Sequence, residues 1–374
     1  MKDVMKLSTQ GDLLKYLQSR EQINFIALCA SNFQAIGIDV IIEILQKEGK
    51  LLNGIILMLT DNYLSFQFSH FAENIDYIEY ENKLDKNINY YRLNIIKYLS
   101  SFKHKDLYFV SITISYTWYT FLNLYNKNSR LKWIIIEDGV GNYLKKGLEK
   151  TYLYNKLCGD YYKAFIFGVI KSSLIWFEDR IIQTREITLL DKNNRRQVNH
   201  MIKELYCKEI RKRKQIVERL NNIKDLICND AIFLIEFSRI DIDSKMAEYN
   251  LVKDICDFFK SRHVNYFIKP HPRECNINIY RNIGNVFESN NNISLEMLLG
   301  NMERTPRVII GTISSCLYIA NALYGIKTIS LGKILLQSTE FKNLGMRRVI
   351  KEFIKKFDKI VYFPETISEL YDLI

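Results

Sequence analysis

Short apolar runs and amphipathic segments alternate through the first third of the chain. Residues 24–30 and 52–60 are unbroken apolar runs of strand length, and apolar positions within 33–45 repeat at the spacing of a helix. Continuous apolar strands joined by helices are typical of a parallel sheet that is covered on both faces. The same alternation predicts further strands at 107–112 and 131–136 and a helix at 115–125.

A second α/β pattern begins near residue 231, after a stretch at 142–225 that we interpret as mostly helical. Two such blocks predict two Rossmann-like domains that face each other. We expect domains at 1–225, 226–345 and 346–374, the last being a basic helix and tail. In the second block the pattern predicts strands at 231–238, 264–269, 284–288, 307–311 and 327–331, and helices at 244–260, from Ser294 onwards and at 314–324.

Composition excludes several classes of protein. The chain has 374 residues, of which 48% are apolar and 25% charged, as in an ordinary globular protein rather than a disordered chain or a coiled-coil rod. The net charge of +11 is compatible with nucleic acid, an anionic membrane or an anionic substrate as partner. The basic run at 208–215 contains no aromatic residue, so we expect no nucleic acid and interpret the run as a solvated helix face.

The cysteines and the N-terminus indicate a cytoplasmic protein. The seven cysteines form no CxxC pair, and we expect neither a zinc site nor a disulfide framework, nor any cofactor. Residues 1–22 lack the apolar core of a secretory signal. Lysines interrupt the longest apolar stretch, at 161–177, which argues against a membrane-spanning helix. The oligomeric state, a homo-oligomer included, stays open.

Ligands of open parallel sheets bind just beyond the carboxyl ends of the strands, so residues at strand ends are the first candidates for chemistry. The strand at 131–136 is followed by Glu137, Asp138 and Gly139. Adjacent carboxylates raise each other's pKa, which suits a general base, and the glycine lets the chain turn. On spacing alone, a turn with an acidic helix cap is the simpler explanation.

The strand at 264–269 ends in a rigid cationic segment, KPHPRE. His271 lies between two prolines, which restrict the backbone on either side of it. Lys269 and Arg273 flank this Pro-His-Pro tripeptide. Such a cationic cluster, which includes Pro272, suits the binding of a phosphate or a leaving-group oxyanion. The alternative is a core histidine or a plain turn.

A third strand end, GTISS, leads directly into a predicted helix. Gly311, Thr312, Ser314 and Ser315 would place hydroxyl groups and free backbone N–H groups at the positive end of that helix, where phosphates bind. Ordinary N-capping by Ser314 is compatible with this role. Upstream, Glu296 opens another helix, where it either accepts hydrogen bonds from a ribose or complements the helix dipole.

Several catalytic motifs are absent from the sequence. It contains no P-loop, no GxGxxG after the first strand, no GxSxG and no HExxH. Asp241 and Asp243 have the Asp-x-Asp spacing of some divalent-metal sites, but they precede a predicted helix, so capping explains them better. We therefore expect no metal.

Together the motifs resemble those of the bacterial sialyltransferases, most closely the lipooligosaccharide sialyltransferase and polysialyltransferase groups. An acidic-acidic-Gly motif comes first, and an HP motif and a Ser-Ser helix start follow it. The opening CASNFQAIGIDVIIEIL is similar to the first strand, Phe-Gln turn and helix of that group. The resemblance extends over most of 24–331 but finds no match at 142–225. It implies a GT-B architecture with two Rossmann-like domains facing a central cleft.

In the N-terminal domain, the resemblance implies the acceptor side of the site. Asp138 would be the general base, with Glu137 as the alternative. Ser31 and Asn32, which are also N-cap candidates for the first helix, would lie on the acceptor side together with Gly139. No metal would be needed.

In the C-terminal domain, the resemblance implies a site for the donor, CMP-sialic acid. His271 would contact the donor phosphate, and Lys269 would help to neutralise the departing CMP. Glu296 would hold the ribose or the base. The remaining donor-side positions are Pro272, Gly311, Thr312, Ser314 and Ser315, and whether Thr312 or Ser314 lies nearer the phosphate stays open.

The expected activity is therefore inverting transfer of sialic acid from CMP-sialic acid to a hydroxyl of a cell-surface glycan or glycolipid, in lipooligosaccharide or capsule. Three other interpretations stay open. These are a GT-B transferase with another nucleotide-sugar donor, a non-catalytic capsule-assembly protein and a nucleic-acid-binding protein.

The C-terminal segment 346–360 has the pattern of a basic amphipathic helix. Packing against the core is the simpler interpretation of its apolar stripe. Its cations predict peripheral contact with an anionic membrane surface, on the inner face of the cytoplasmic membrane. The stripe consists of Val349, Ile350, Phe353, Ile354 and Phe357, and the cations are Arg347, Arg348, Lys351, Lys355 and Lys356.

Overall fold

The chain forms two compact units in the computed structural model. The N-terminal unit comprises Met1–Asp138 and Lys146–Thr188, and the C-terminal unit comprises Gly139–Lys145 and Leu189–Ile374. The predicted domain boundaries stay a prediction. The structure describes residues 4–7, 12, 15–16, 19–20, 23–29, 31–60, 68, 72–81, 106–111, 131–137, 183–190, 198–215, 231–235, 242–270, 278–287 and 294–374.

A parallel sheet forms the centre of the N-terminal unit. Its described strands are β1 (Met5–Leu7), β2 (Phe25–Cys29), β3 (Gly54–Thr60), β4 (Ile75–Glu81), β5 (Leu107–Ser111), β6 (Leu131–Ile136) and β7 (Gln183–Ile187). They are hydrogen-bonded in the order β1-β4-β3-β2-β5-β6-β7, and every pairing is parallel. Strand order therefore reverses beside β2, because the chain adds β3 and β4 on one side of it and β5 to β7 on the other.

Helix α1 (Asn32–Lys47) follows β2 and packs against β2 and β6. Ser31 is its N-cap, and the Ser31 hydroxyl accepts a hydrogen bond from Gln34 N at 3.2 Å. The helix is apolar on nearly all sides, as expected for one enclosed by the core. Ser31 is thus the one of the two N-cap candidates that caps the helix, and Gly49 adopts a left-handed φ of 72° just beyond its end.

The C-terminal unit has its own parallel sheet, in the order β11-β10-β8-β9. Its described strands are β8 (Ala231–Ile235), β9 (Tyr266–Pro270), β10 (Val308–Gly311) and β11 (Lys327–Ser330). The described helices are α2 (His200–Lys212), α3 (Ile242–Ser261), α4 (Asn278–Arg281), α5 (Leu295–Leu299), α6 (Ser315–Tyr324), α7 (Gly332–Gln337), α8 (Leu344–Phe357) and α9 (Ile367–Leu373). Apolar residues of α3, β9, β10 and α8 form its core.

The apolar stripe of α8 packs into this core. Ile350, Phe353 and Phe357 are buried, and the ring of Phe357 stacks on Tyr318 of α6 with centroids 4.7 Å apart. Arg347 also turns inward, donating to the backbone oxygen of Phe341 at 2.9 Å and to that of Leu336. The outer face of the helix keeps the remaining cations.

The two parallel sheets confirm the predicted α/β fold with two Rossmann-like units. Proteins of the GT-B type consist of two such units. The predicted central cleft stays a prediction. The predicted helix at 115–125 lies outside the described residues. Among the helices that the structure describes, none is both long and apolar enough to cross a lipid bilayer.

Two details of the stretch 142–225 differ from the expectations. β7 is a strand within a region predicted to be mostly helical; it lies at the end of the hydrogen-bonded order and carries the polar sequence QTREI, which gives little apolar signal. In the basic run 208–215, the interpretation as a solvated helix face is confirmed for Lys208, Arg211, Lys212 and Lys214, which are exposed, whereas Arg213 is buried. Its guanidinium donates to Glu209 O at 2.7 Å and lies 3.6 Å from the Glu209 carboxylate, which compensates its charge.

Candidate functional site

Strand order reverses in the C-terminal unit between β8 and β10. From β8 the chain crosses to β9 on one side, whereas β10 and β11 lie on the other side. Ligands of open α/β sheets bind outside the carboxyl ends of the strands at such a reversal. The topology therefore places the candidate site beyond the ends of β8 and β10.

The strand register brings two of the predicted donor-side segments to one edge of this sheet. Lys269 of β9 and Gly311 of β10 both pair with Leu234 of β8, one from each side. Their backbones are therefore separated by two strand spacings, about 10 Å. Lys269 and the GTISS segment thus lie at the same level of the carboxyl edge.

Ser314 begins helix α6 at this edge. Its hydroxyl accepts a hydrogen bond from Cys316 N at 3.3 Å, and its backbone oxygen accepts one from Leu317 N at 3.1 Å. Ser315, the first helical residue, is half-buried. The helix start offers the positive dipole end and hydroxyl groups that suit a phosphate.

The Thr312 hydroxyl is engaged elsewhere. It donates a hydrogen bond to the Glu248 carboxylate of α3, and Thr312 is buried. The hydroxyl of Ser330, the last residue of β11, donates a hydrogen bond to the backbone oxygen of Thr312 and so fixes the loop between β10 and α6. These contacts favour Ser314 over Thr312 as the nearer hydroxyl to a bound anion.

Lys269 is a buried cation at the end of β9. It is 9% exposed, and burial lowers the pKa of its ammonium below the usual range, while the Glu296 carboxylate acts in the opposite direction. Within the described part of the chain, its ammonium makes no ion pair. A desolvated cation without such a pair is suited to an anionic ligand.

Glu296 lies in the first turn of α5, whose N-cap Ser294 accepts from Met297 N at 3.4 Å. Glu296 is 4% exposed, and one of its carboxylate oxygens, Oε1, accepts from the Cys316 thiol at 3.1 Å. The Tyr324 hydroxyl donates to the Glu296 backbone oxygen at 2.8 Å. Sequence reasoning missed both partners; the one available signal is that Cys316 lies two residues after the helix cap.

In the N-terminal unit, the predicted site residues also lie just beyond the carboxyl ends of strands. Ser31 and Asn32 follow β2, beside which the strand order reverses, and Glu137 follows β6. The Ser31 hydroxyl caps α1, and Asn32 is buried in its first turn. Glu137 is 0% exposed, so a carboxylate is held inside the protein at this strand end.

Several predicted site residues lie outside the described residues: Asp138, Gly139, Asp241, His271, Pro272 and Arg273. Their roles stay predictions. Asp243 lies within α3. Across the ranges that the structure describes, no three His, Cys, Asp or Glu side chains are grouped so that they could hold a metal ion.

A model of the alpha-2,8-polysialyltransferases matches residues 25–333. The chain belongs to the alpha-2,8-polysialyltransferase family. The predicted resemblance to the bacterial sialyltransferases is thereby confirmed, and the protein is a sialyltransferase. The match spans both units and includes every predicted site residue.

Solved structures show only distant likeness to this polysialyltransferase-family chain. A sialyltransferase from Photobacterium damsela is 12% identical over 91% of this chain and 81% of its own, with a TM-score of 0.44. UDP-GlcNAc 2-epimerase from Neisseria meningitidis is 14% identical over 91% and 95%, with a TM-score of 0.47. UDP-N-acetylglucosamine 2-epimerase from Rickettsia bellii is 10% identical over 90% of this chain and 88% of its own, with a TM-score of 0.45. No curated protein matches the chain.

Lys269→Met is expected to weaken the binding of CMP, an anionic nucleotide, about 10- to 100-fold, because a hydrogen bond to a charged group contributes about 1.5–3 kcal/mol. Burial of the ammonium is unfavourable on balance, so the melting temperature of the variant should not fall. Calorimetric titration with CMP and thermal unfolding measure the two effects. Lys253→Met, at an exposed lysine of α3, is the control and should bind CMP normally.

An interaction between Lys269 and CMP also predicts how CMP affinity changes with pH. Because burial lowers the pKa of Lys269, wild-type affinity for CMP should decline on the alkaline side as the ammonium loses its proton. Lys269→Met should lack the part of the decline that this lysine causes. A variant with normal affinity and an unchanged pH profile would exclude Lys269 from the site.

Proposed function

We propose that the protein transfers sialic acid from CMP-sialic acid to a hydroxyl of a cell-surface glycan, in lipooligosaccharide or capsule. Membership in the family supports the transfer of sialic acid. The observation that carries the choice of donor is the buried Lys269, which makes no ion pair within the described ranges and lies at the same sheet edge as the start of α6. A cation and a helix N-terminus together suit the single phosphate of CMP.

The donor-side roles follow from this arrangement. Lys269 and the hydroxyl and N–H groups at Ser314 and Ser315 would bind the phosphate. Glu296 would accept a hydrogen bond from the nucleoside. His271, two residues beyond Lys269, is proposed to contact the same phosphate, with Pro272 restricting its backbone. Charge that develops on the leaving phosphate is then met by cations already in place.

The acceptor side needs a general base. We assign this role to Asp138, with Glu137 as the alternative. The base takes the proton of the acceptor hydroxyl while that oxygen forms a bond to C2 of the sialic acid. The bond from C2 to the phosphate oxygen breaks, and its electron pair leaves with CMP. Because the acceptor oxygen is proposed to attack the face of C2 opposite the phosphate, the configuration at C2 inverts.

The description of the family also supports a finer proposal for the acceptor. An alpha-2,8 linkage joins C2 of one sialic acid to the 8-hydroxyl of another. The acceptor is therefore proposed to end in sialic acid, and repeated transfer would lengthen a polymer. A monophosphate donor needs no cation to bridge two phosphates, so the transfer is proposed to be metal-independent.

Transfer is expected when the purified protein is incubated with CMP-sialic acid and a panel of sialosides and galactosides, with products identified by mass. Sialosides should gain one or more sialic acid residues, and excess EDTA should leave the rate unchanged. CMP, but not UDP, should raise the melting temperature. Stabilisation by UDP alone would favour another nucleotide-sugar donor, and loss with EDTA that Mg²⁺ restores would contradict the metal-independent mechanism.

Asp138→Asn is expected to lower kcat by about 10²- to 10⁴-fold, the usual contribution of a general base, with little change in CMP affinity. Glu137→Gln is the matched change at the neighbouring carboxylate, and it should reduce kcat less. If Glu137→Gln is inactive and Asp138→Asn is near wild type, the roles within the pair are reversed. Full activity in both variants would contradict the assignment of the base to this motif.

We also propose that the outer face of α8 binds an anionic membrane surface, where a lipid-linked acceptor would lie. Because Ile350, Phe353 and Phe357 pack into the core, this contact must be electrostatic and sensitive to salt. Arg348, Lys351 and Lys355 are exposed, each basic residue near an anionic surface being worth about 1 kcal/mol.

Charge reversal in the double variant Lys351→Glu/Lys355→Glu should abolish co-sedimentation with vesicles containing anionic lipid at low salt. Reversal of Lys253 and Lys260, two lysines on the outer face of α3, is the matched control and should leave binding intact. Wild-type protein should also leave the vesicles as salt is raised. If wild-type protein stays in the supernatant at low salt, α8 has a structural role only.

A further inference from the structure

Glu296 is held by contacts on its side chain and on its backbone. On the side chain, the Cys316 thiol donates to Oε1 at 3.1 Å. No described residue forms a hydrogen bond with the second carboxylate oxygen, Oε2. The thiol therefore selects one orientation of the carboxylate and leaves the other oxygen available to a ligand.

The backbone of α5 is fixed independently of that thiol. The Tyr324 hydroxyl donates to Glu296 O at 2.8 Å, and burial raises the pKa of this hydroxyl well above its usual range, which keeps it a donor. The Asn301 side-chain amide donates to Met297 O at 2.8 Å and to Ile210 O at 3.3 Å. Helix α5 is thereby tied to α6 and to α2.

The Cys316 thiol remains protonated in this setting. Burial raises the pKa of the thiol well above its usual range, and the Glu296 carboxylate raises it further. A protonated thiol is a weak donor, and a carboxylate is the strongest acceptor available to it. Lys269 lies close enough for its charge to act on both groups, so the thiol and the carboxylate are neighbours of the buried cation that is proposed to bind the phosphate.

We propose that Cys316 is a positioning residue for the donor: its thiol holds the Glu296 carboxylate so that the second oxygen accepts a hydrogen bond from the nucleoside of CMP-sialic acid. The inference rests on the proposed function. It has a second support in Lys269, which is nine-tenths buried at the same sheet edge and makes no ion pair within the described ranges. Cys316 itself touches neither the sugar nor the reacting atoms, so its effect should appear in binding.

Cys316→Ala is expected to raise the dissociation constant for CMP and the KM for CMP-sialic acid about 3- to 10-fold, with kcat changed less than twofold. Cys316→Ser keeps an O–H donor at the same position and should restore binding to within about twofold of wild type. Cys256→Ala removes a thiol buried in the core of α3, which makes it a matched control. That control is expected to lower the melting temperature without changing either constant.

A double-mutant cycle separates positioning from a general loss of structure. If Cys316 acts through Glu296, Cys316→Ala should add little to the loss of CMP affinity that Glu296→Ala causes alone. Additive effects, or equal loss in Cys316→Ala and Cys316→Ser, would overturn the inference. Normal CMP binding by Cys316→Ala would also overturn it.

The proposed function fails separately from this inference. If wild-type protein does not bind CMP, the donor assignment is wrong. If wild-type protein binds CMP and Glu296→Ala weakens that binding while Cys316→Ala does not, the donor assignment stands and the thiol has no positioning role.

Discussion

The candidate donor site depends on one constraint: a lysine ammonium is kept at the end of an apolar strand, away from water. Lys269 is the penultimate residue of β9, after Tyr266 and Ile268 of the core, and the register of the strand fixes the depth of the cation. Desolvation lowers the pKa of the ammonium, and the nearby Glu296 carboxylate raises it. An incoming phosphate would relieve the cost of that burial, so affinity and stability are opposed at this position.

The helices around the strand end supply what the lysine lacks. In the proposed donor site, α6 would contribute the hydroxyls and the positive dipole end of its first turn, and α5 would contribute a carboxylate that repels a phosphate but can accept a hydrogen bond from a nucleoside. Thr312, Glu248 and Ser330 fix the loop between β10 and α6 without competing for the ligand. In the proposal, the cation, the helix start and the carboxylate would thus have separate tasks.

Periodicity predicted much of this arrangement, because most strands are continuous apolar runs and the rule for strand ends depends only on their direction. Lys269 and Ser314 were predicted as site residues in this way, and Glu296 was predicted from its place at the start of a helix; their roles stay predictions. The contact between Cys316 and Glu296 was not, since it joins residues twenty positions apart through the packing of α5 on α6. The polar edge strand β7 and the buried Arg213 were missed for a related reason: their environments are set by neighbours in space.

The end of α5 bears on how such an enzyme could change its nucleotide preference. A methyl group added at Gly300, its C-cap, would lie 2.4 Å from Ile210 Cγ2 and 2.6 Å from the Tyr324 hydroxyl. Helices α2 and α6 therefore leave no room for a side chain at the end of α5. If the donor binds as proposed, Gly300 would have to stay glycine while donor choice diverges, and directed evolution of that choice is best aimed at side chains such as those of Glu296 and Cys316.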